Sequence, residues 1–203
     1  VRSRQGIGQE VTVALSDVML ATVGNLGYLG DVQINGASRE PIGNYLYGAF
    51  GRDFATADGR RVMLAAISSR QWRAIGTATG LSEKLQMIGN LMDVDMNDEG
   101  GRFTARHAIS AVLEPWFAAR TLSELQRVFE GSGVLWGAYR TFAQLMSEDE
   151  RCSIANPLFR TITQPGVGEV LTPRTPLRFG RSATPDALAA PSLGEGTDLV
   201  PRA

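Results

Sequence analysis

An α/β fold is expected from three features of the chain. Val11, Val13 and Leu15 alternate with Thr12 and Ala14, the pattern of a short half-buried strand, and a helical segment follows. Asp58-Gly59 separates two β-prone runs, as the turn of a hairpin does. From Ala105 to Phe117 apolar residues recur at helical spacing. With 203 residues, 43% of them hydrophobic and 20% charged, the chain can build a real core and is neither disordered nor fibrous.

The elements follow in order. After the strand at Val11–Leu15, Ser16 stands where an N-cap oxygen meets free helix amides. The helix from Asp17 carries Val18, Leu20, Ala21 and Val23 and should end near Leu29, because Gly24, Gly27 and Gly30 each cost about 1 kcal/mol relative to Ala. Residues 31–51 are rich in glycine and polar side chains and read as a loop. A hairpin is expected from Phe54–Thr56 and Arg61–Ile67. Ser68 or Ser69 caps the next helix, with Trp72 and Ile75 on one face and a stop at Gly80, and Ser82 opens another bearing Leu85 and Ile88. Pro115 should kink or split the amphipathic helix of Ala105–Phe117. Thr121-Leu122-Ser123-Glu124 is a capping box opening a helix to about Phe129. A strand at 133–139, a short helix at 141–146, and β-prone pieces at 159–163 and 167–172 complete the chain, with five prolines from Pro165 to Pro191 breaking up the tail.

Charge and residue counts exclude several functions. Twenty basic residues against 21 acidic ones, a net charge of −1, leave no field for nucleic acid or anionic lipid. Lys84 is the only lysine, so the cations are arginines, suited to clamping carboxylate or phosphate. One cysteine, Cys152, and one histidine, His107, cannot make a zinc centre or a disulfide framework, and no metal or cofactor is expected. The longest apolar run, Val62–Ile67, is far short of the roughly 20 residues that span a bilayer. A cytoplasmic protein without membrane contact is expected, and the start at Val1 without Met reads as the interior of a longer chain. No phosphate-binding glycine motif, serine-hydrolase elbow or zinc-protease helix occurs. Asp93-x-Asp95-x-Asn97 imitates a calcium loop, but Asp98 replaces the required Gly and Thr104 the closing Glu, so it reads as a solvated acidic turn.

Gly43 to Gly51 stands out. Its glycines permit close backbone approach and loop closure, Tyr45 and Tyr47 offer hydroxyls, and Arg52 offers a guanidinium to a carboxylate. A ligand lid and an irregular connector into the hairpin fit the composition equally. His107 reads either as an exposed helix residue or as a proton carrier beside a substrate. Cys152 has no activating neighbour in sequence, and Trp72, Trp116 and Trp136 read as core.

Three stretches give the sequence a likeness. Gly6–Leu15 (GIGQEVTVAL) before a helix, the Gly43-Asn44 loop, and the ending Pro176–Phe179 followed by Ala190–Asp198 resemble the class III CoA-transferases, the CaiB/BaiF family, over nearly the whole chain. Gly43–Asp53, Arg102–His107 and Leu113–Leu122 resemble more particularly the members that move CoA between the two carboxyls of one C5 dicarboxylic acid. The resemblance implies the C-terminal half of a longer chain. Residues 1–30 would end the first part of a Rossmann-like large domain, 31–155 would form a smaller α+β domain with a lid at 42–52 and a hairpin at 53–67, and 156–203 would return to the large domain. It further implies an interlocked homodimer, a CoA thioester of a C5 dicarboxylic acid as partner, and a nucleophilic aspartate upstream of Val1, with Asp17, Asp53 and Asp58 not replacing it.

By the family's mechanism a carboxylate attacks the thioester, an anhydride forms, and the CoA thiolate returns to a carbonyl. The lid positions that match are Gly43, Asn44, Tyr45, Tyr47 and Gly48, whose amides would stabilise the oxyanion and exclude water. Relatives often carry Arg two residues before Gly-Asn, where this chain has Pro41, so Arg39 or Arg52 would take any carboxylate-binding role. Tyr45, Leu46 and Tyr47 fill space that a separate acceptor acid would need. Gly133–Gly137 also departs from a Val-Pro pair found in many relatives.

Overall fold

The computed structural model describes residues 6, 8, 10–36 and 38–199, so Val1–Gln5, Ile7 and Gln9 of the opening lie outside the described residues. A three-stranded antiparallel sheet organises the molecule: β1 (Phe50–Ala55), β2 (Arg61–Ala66) and β3 (Leu135–Ala138), in that order. The hairpin between β1 and β2 forms at the expected turn. Gly59 takes φ +72°, which glycine adopts without a Cβ penalty, and the Thr56 amide donates to the Arg60 carbonyl at 2.9 Å. Phe50 pairs with Ala66, Arg52 with Leu64 and Phe54 with Val62, while Leu64 and Val62 pair with Trp136 and Ala138. Side chains alternate along a strand, so these residues share one face and Asp53, Arg61 and Met63 lie on the other.

The first face is covered by helices. α1 (Leu15–Asn25) and α2 (Tyr28–Asn35) precede the sheet; α3 (Ser69–Thr79), α4 (Ser82–Met92), α5 (Glu99–Thr104), α6 (Arg106–Ala118) and α7 (Leu122–Phe129) lie between β2 and β3; α8 (Phe142–Glu148) follows. The core joins Phe50, Phe54, Val62 and Leu64 to Trp72, Ile75, Leu85, Ile109, Leu113, Phe117, Leu125 and Phe129, with Trp116 and Trp136 packed against it. Phe54 and Phe117 stack at 4.5 Å between centroids. Burying such a side chain contributes about 2–3 kcal/mol. Capping boxes at Ser68 and Thr121 start α3 and α7, and Gly80, in the left-handed conformation, ends α3. A further box at Thr141 starts α8.

Arg102 is the largest fully buried side chain. Its guanidinium donates to the carbonyls of Met96, Asn97 and Ile67, tying the turn before α5 to the end of β2. The acidic turn is built locally: Asp95 accepts from the Asn97 amide, and Asp98 caps α5 through the Gly101 amide. Gly101 is required there, since a Cβ would lie 2.1 Å from the Asp95 carbonyl oxygen.

Four expectations are corrected. Val11–Ala14 is extended but forms no strand, because an isolated run has no neighbour to complete its hydrogen bonds among the described residues. Ser16 lies inside α1, whose N-cap is Ala14 without a side-chain bond, and Asp17 favours the N-terminal dipole from the first turn. The helix does not run to Leu29. Gly27, at φ +84°, turns the chain and α2 restarts at Tyr28, so the first part of the expected loop at 31–51 is helical and its end belongs to β1. Pro115 does not split α6, which continues to Ala118; Pro115 and Ala111 are both exposed, so the carbonyl that loses its bond can face water.

The tail contains a short 3₁₀ turn (Glu150–Cys152) and a separate hairpin of β4 (Phe159–Gln164) and β5 (Gly168–Pro173), as the β-prone pieces predict. Among the described residues no helix is long and apolar enough to cross a membrane, and no group of three or more His, Cys, Asp or Glu could hold a metal ion.

Candidate functional site

The loop before β1 is fastened at three places. Gly43 and Gly48 take φ +58° and +76°, and the Leu46 amide donates to the Gly51 carbonyl at 2.8 Å, folding the loop back on β1. The Tyr45 hydroxyl donates to Ser110 Oγ at 3.1 Å, and Ser110 donates onward to the Arg106 carbonyl at 2.7 Å. Arg52 Nη1 donates to the Tyr45 oxygen at 3.3 Å, and His107 Nδ1 lies 3.3 Å away. With the Tyr45 proton directed to Ser110, a bond between Tyr45 and His107 would use Nδ1–H as its donor. His107 is exposed, as the polar side of the helix predicts.

Tyr47 takes a different partner. The Arg39 guanidinium lies over its ring at 3.8 Å, and Phe103 meets it edge-on at 5.3 Å. Arg39 also sits over Tyr28 at 4.9 Å and donates from Nε to Asp31 at 2.5 Å. The bonds from Arg39 and Asn35 hold the Asp31 carboxyl below its ordinary range.

Asn44 is held by a buried carboxylate. Its Nδ2 donates to Asp53 Oδ1 at 3.1 Å, while Arg61 donates to Asp53 Oδ2 from Nε at 2.7 Å and again from Nη2. Burial would raise the Asp53 carboxyl, but the bonds from Arg61 and Asn44 outweigh it and leave it below the usual carboxylate range. Asp53 is 4% exposed, and both its oxygens are already bonded, to Asn44 and Arg61. Asp58, also considered in the sequence, is engaged with Thr56 and the Leu122 amide.

A cavity of about 410 Å³ opens at this loop, lined by Ile42, Gly43, Asn44, Tyr45, Arg52, Asp53 and Arg61. Asn44, Asp53 and Arg61 also border a second cavity of about 470 Å³, reaching Tyr139 and Gln144 on α8. Of the predicted residues, Gly43, Asn44, Tyr45 and Arg52 converge on the first cavity. Arg39, Tyr47 and Gly48 do not line it; Arg39 borders a different hollow with Tyr28 and Asp31. Asp53, Arg61 and Ser110 are site residues that the sequence reading missed. Hairpin register carried the signal for two of them: a turn at 57–59 pairs residue 55 with 61 and brings Asp53 diagonally next to Arg61. Among the described residues, the Gly43 and Asn44 amides donate to no partner. The ensemble offers backbone donors, an ordered amide side chain and two guanidiniums around one opening, a setting for an acyl group bearing negative charge.

Comparison with known proteins places the chain in a family. The model of CoA-transferase family III matches residues 1–197. The chain belongs to CoA-transferase family III. It is 48% identical over 199 residues to 2-methylfumaryl-CoA isomerase of Chloroflexus aurantiacus, which covers 98% of this chain and 49% of that protein. In fold it is similar to a CaiB/BaiF family protein from Brucella suis, with a TM-score of 0.67 at 23% identity, covering 98% of this chain and 48% of the other. Rv3272 from M. tuberculosis gives a TM-score of 0.66 at 20% identity, with coverage of 98% and 49%. The mixed α/β architecture is thus that of the CaiB/BaiF proteins, and the chain spans about half the length of the relatives it matches.

Proposed function

We propose that this member of CoA-transferase family III takes part in intramolecular CoA transfer, converting 2-methylfumaryl-CoA to 3-methylfumaryl-CoA, with the loop 43–48 covering the acyl group. The observation that carries this reading is the 48% identity to 2-methylfumaryl-CoA isomerase over 98% of the chain. In this reading a carboxylate from outside residues 1–203 attacks the thioester carbonyl and the CoA thiolate leaves. The thiolate adds to the enzyme's carbonyl of the mixed anhydride so formed, releasing the diacid. The diacid's other carboxylate attacks the enzyme thioester and expels the thiolate, which then adds to the acid's carbonyl of this second anhydride and frees the enzyme carboxylate. The aspartates near the loop support an outside nucleophile, since Asp31, Asp53 and Asp58 all have their oxygens engaged. On that account residues 1–203 alone would be inactive.

The free amides of Gly43 and Asn44 would face the developing oxyanion, and the Tyr45 ring would keep water from the anhydride. Retaining the freed acid while CoA changes ends turns the return step into an intramolecular reaction. The apolar side chains left exposed on α1 and α2 support a fold completed by further chain and by a second subunit in an interlocked homodimer. CoA enters as part of the substrate, with no separate cofactor. The test is to incubate the complete protein with 2-methylfumaryl-CoA and follow the isomers by liquid chromatography. Conversion that added free acids do not divert is expected, and Gly48→Val, which puts a β-branched residue at φ +76°, should slow it by at least tenfold. No conversion, or ready transfer of CoA to the added acids, would overturn the proposal.

A further inference from the structure

We infer that the cavity between Arg52 and Arg61 receives the free carboxylate of a dicarboxylic acyl thioester, so that these two arginines, and not Arg39, discriminate diacids from monoacids. The inference rests on the reading of loop 43–48 as the cover of the acyl group. Three observations lead to it.

Arg39 is already spent. Asp31 takes its Nε–H, and its guanidinium face is occupied by Tyr47 at 3.8 Å and Tyr28 at 4.9 Å, away from the cavity beside Asn44. Arg52 is in no tight ion pair, and the Tyr45 and Phe54 rings lie farther from its guanidinium, at 5.3 and 5.2 Å. It gives Nη1 to the neutral Tyr45 hydroxyl, and its nearest carboxylate, on exposed Glu114, is 3.9 Å from Nη2. Arg61 turns one edge of its fork, Nε and Nη2, to buried Asp53, and among the described residues Nη1 has no partner, on a side chain 52% exposed.

Charge decides what fits. The cavity lining contains two guanidiniums and one carboxylate, Asp53, leaving one positive charge uncompensated. A monoanionic planar group with two acceptors, which is what the unesterified end of a diacyl thioester presents, balances it. The Asn44 bond to Asp53 puts the loop and the Arg61 fork on one anchor, so the same carboxylate fixes both. Arg52 projects from the helix-covered face of the sheet and Arg61 from the other. The two therefore reach the cavity from opposite sides of edge strand β1.

The experiment compares two thioesters on the complete protein by isothermal titration calorimetry: 2-methylfumaryl-CoA, at equilibrium with any isomer it forms, and 2-methyl-2-butenoyl-CoA, which has the same carbon skeleton without the distal carboxylate. Wild type should bind the diacyl thioester at least tenfold more tightly. R52Q and R61Q should each lose most of that preference while binding of the monoacyl thioester changes less than threefold. R61Q alone leaves a buried carboxylate without its cation, so D53N/R61Q, which removes both charges together, guards against misfolding and should lose the preference equally. Equal losses on both ligands, an unchanged preference in R52Q and D53N/R61Q, or a wild type that does not discriminate would each overturn the inference. Selective, arginine-dependent binding without isomerisation would leave it standing while the reaction proposed above falls.

Discussion

Residues 49–129 and the segments on either side of them are built from similar proportions of apolar residues, yet they bury them very differently. Every buried apolar residue among the described ones lies between Ala49 and Phe129. In α1 and α2, Leu15 and Ile34 are 89% and 84% exposed, and in the tail Leu188 is 84% exposed. The contrast shows what holds this chain together: a sheet face and five helices closing on one cluster. The flanking elements draw their regularity from local hydrogen bonding and gain little from packing within this chain. Val18, Met19 and Leu20 of α1, and Leu26 just after it, are exposed.

The contrast can be broken or sharpened by substitution. The largest effect is expected at Phe117→Ala, which empties the stack on Phe54 and the contacts to Trp116 and Phe129; chemical denaturation should record a loss of about 3–5 kcal/mol. Gly101→Ala comes next. The added methyl meets the Asp95 carbonyl, a backbone atom, and should cost about 1–3 kcal/mol in the same measurement, whereas Gly137→Ala, with nothing within 4 Å, should stay within about 0.5 kcal/mol. Leu188→Ala in the tail should also change stability by less than about 0.5 kcal/mol. A loss as large as that at Phe117 would erase the distinction between the two regions.

Acid gives the mildest probe, at the junction of body and tail. Asp149 accepts from Arg151 and Arg140, and these bonds hold its carboxyl down to about 2 against an ordinary 3.8. Between those values the unfolded chain binds a proton that the folded chain does not, so the contribution is complete above pH 4 and is lost as pH falls through about 2. Asp53 is shifted in the same direction. Hydrogen-exchange protection in residues 142–152, corrected for the intrinsic exchange rate at each pH, should therefore fall as pH drops towards about 2, and Asp149→Asn should remove the dependence.

What the sequence disclosed follows the range of the interactions. The hairpin around Gly59, the capping box at Thr121, a serine cap at Ser68 or Ser69, the stop at Gly80 and the inward Trp72 are settled by neighbours within a few positions, and all were legible. The strand expected at Val11–Leu15 failed because alternation states only a willingness to pair, and pairing needs a partner. Of the residues that line the cavity beside the loop, Gly43, Asn44, Tyr45 and Arg52 stand out from composition and family likeness. Ser110 does not, because its bond to Tyr45 joins residues 65 positions apart, and no local pattern encodes that meeting. Arg39 and Arg52 looked equivalent as letters; only the rings of Tyr28 and Tyr47 and the carboxylate of Asp31 separate them.

The fastening of the loop before β1 has a mechanical corollary. Asn44 is tethered to the hairpin, Tyr45 to α6, and Tyr47 to the chain leaving α2. Losing any one of these contacts leaves the loop held by the other two, on separate elements, so its position does not depend on a single bond.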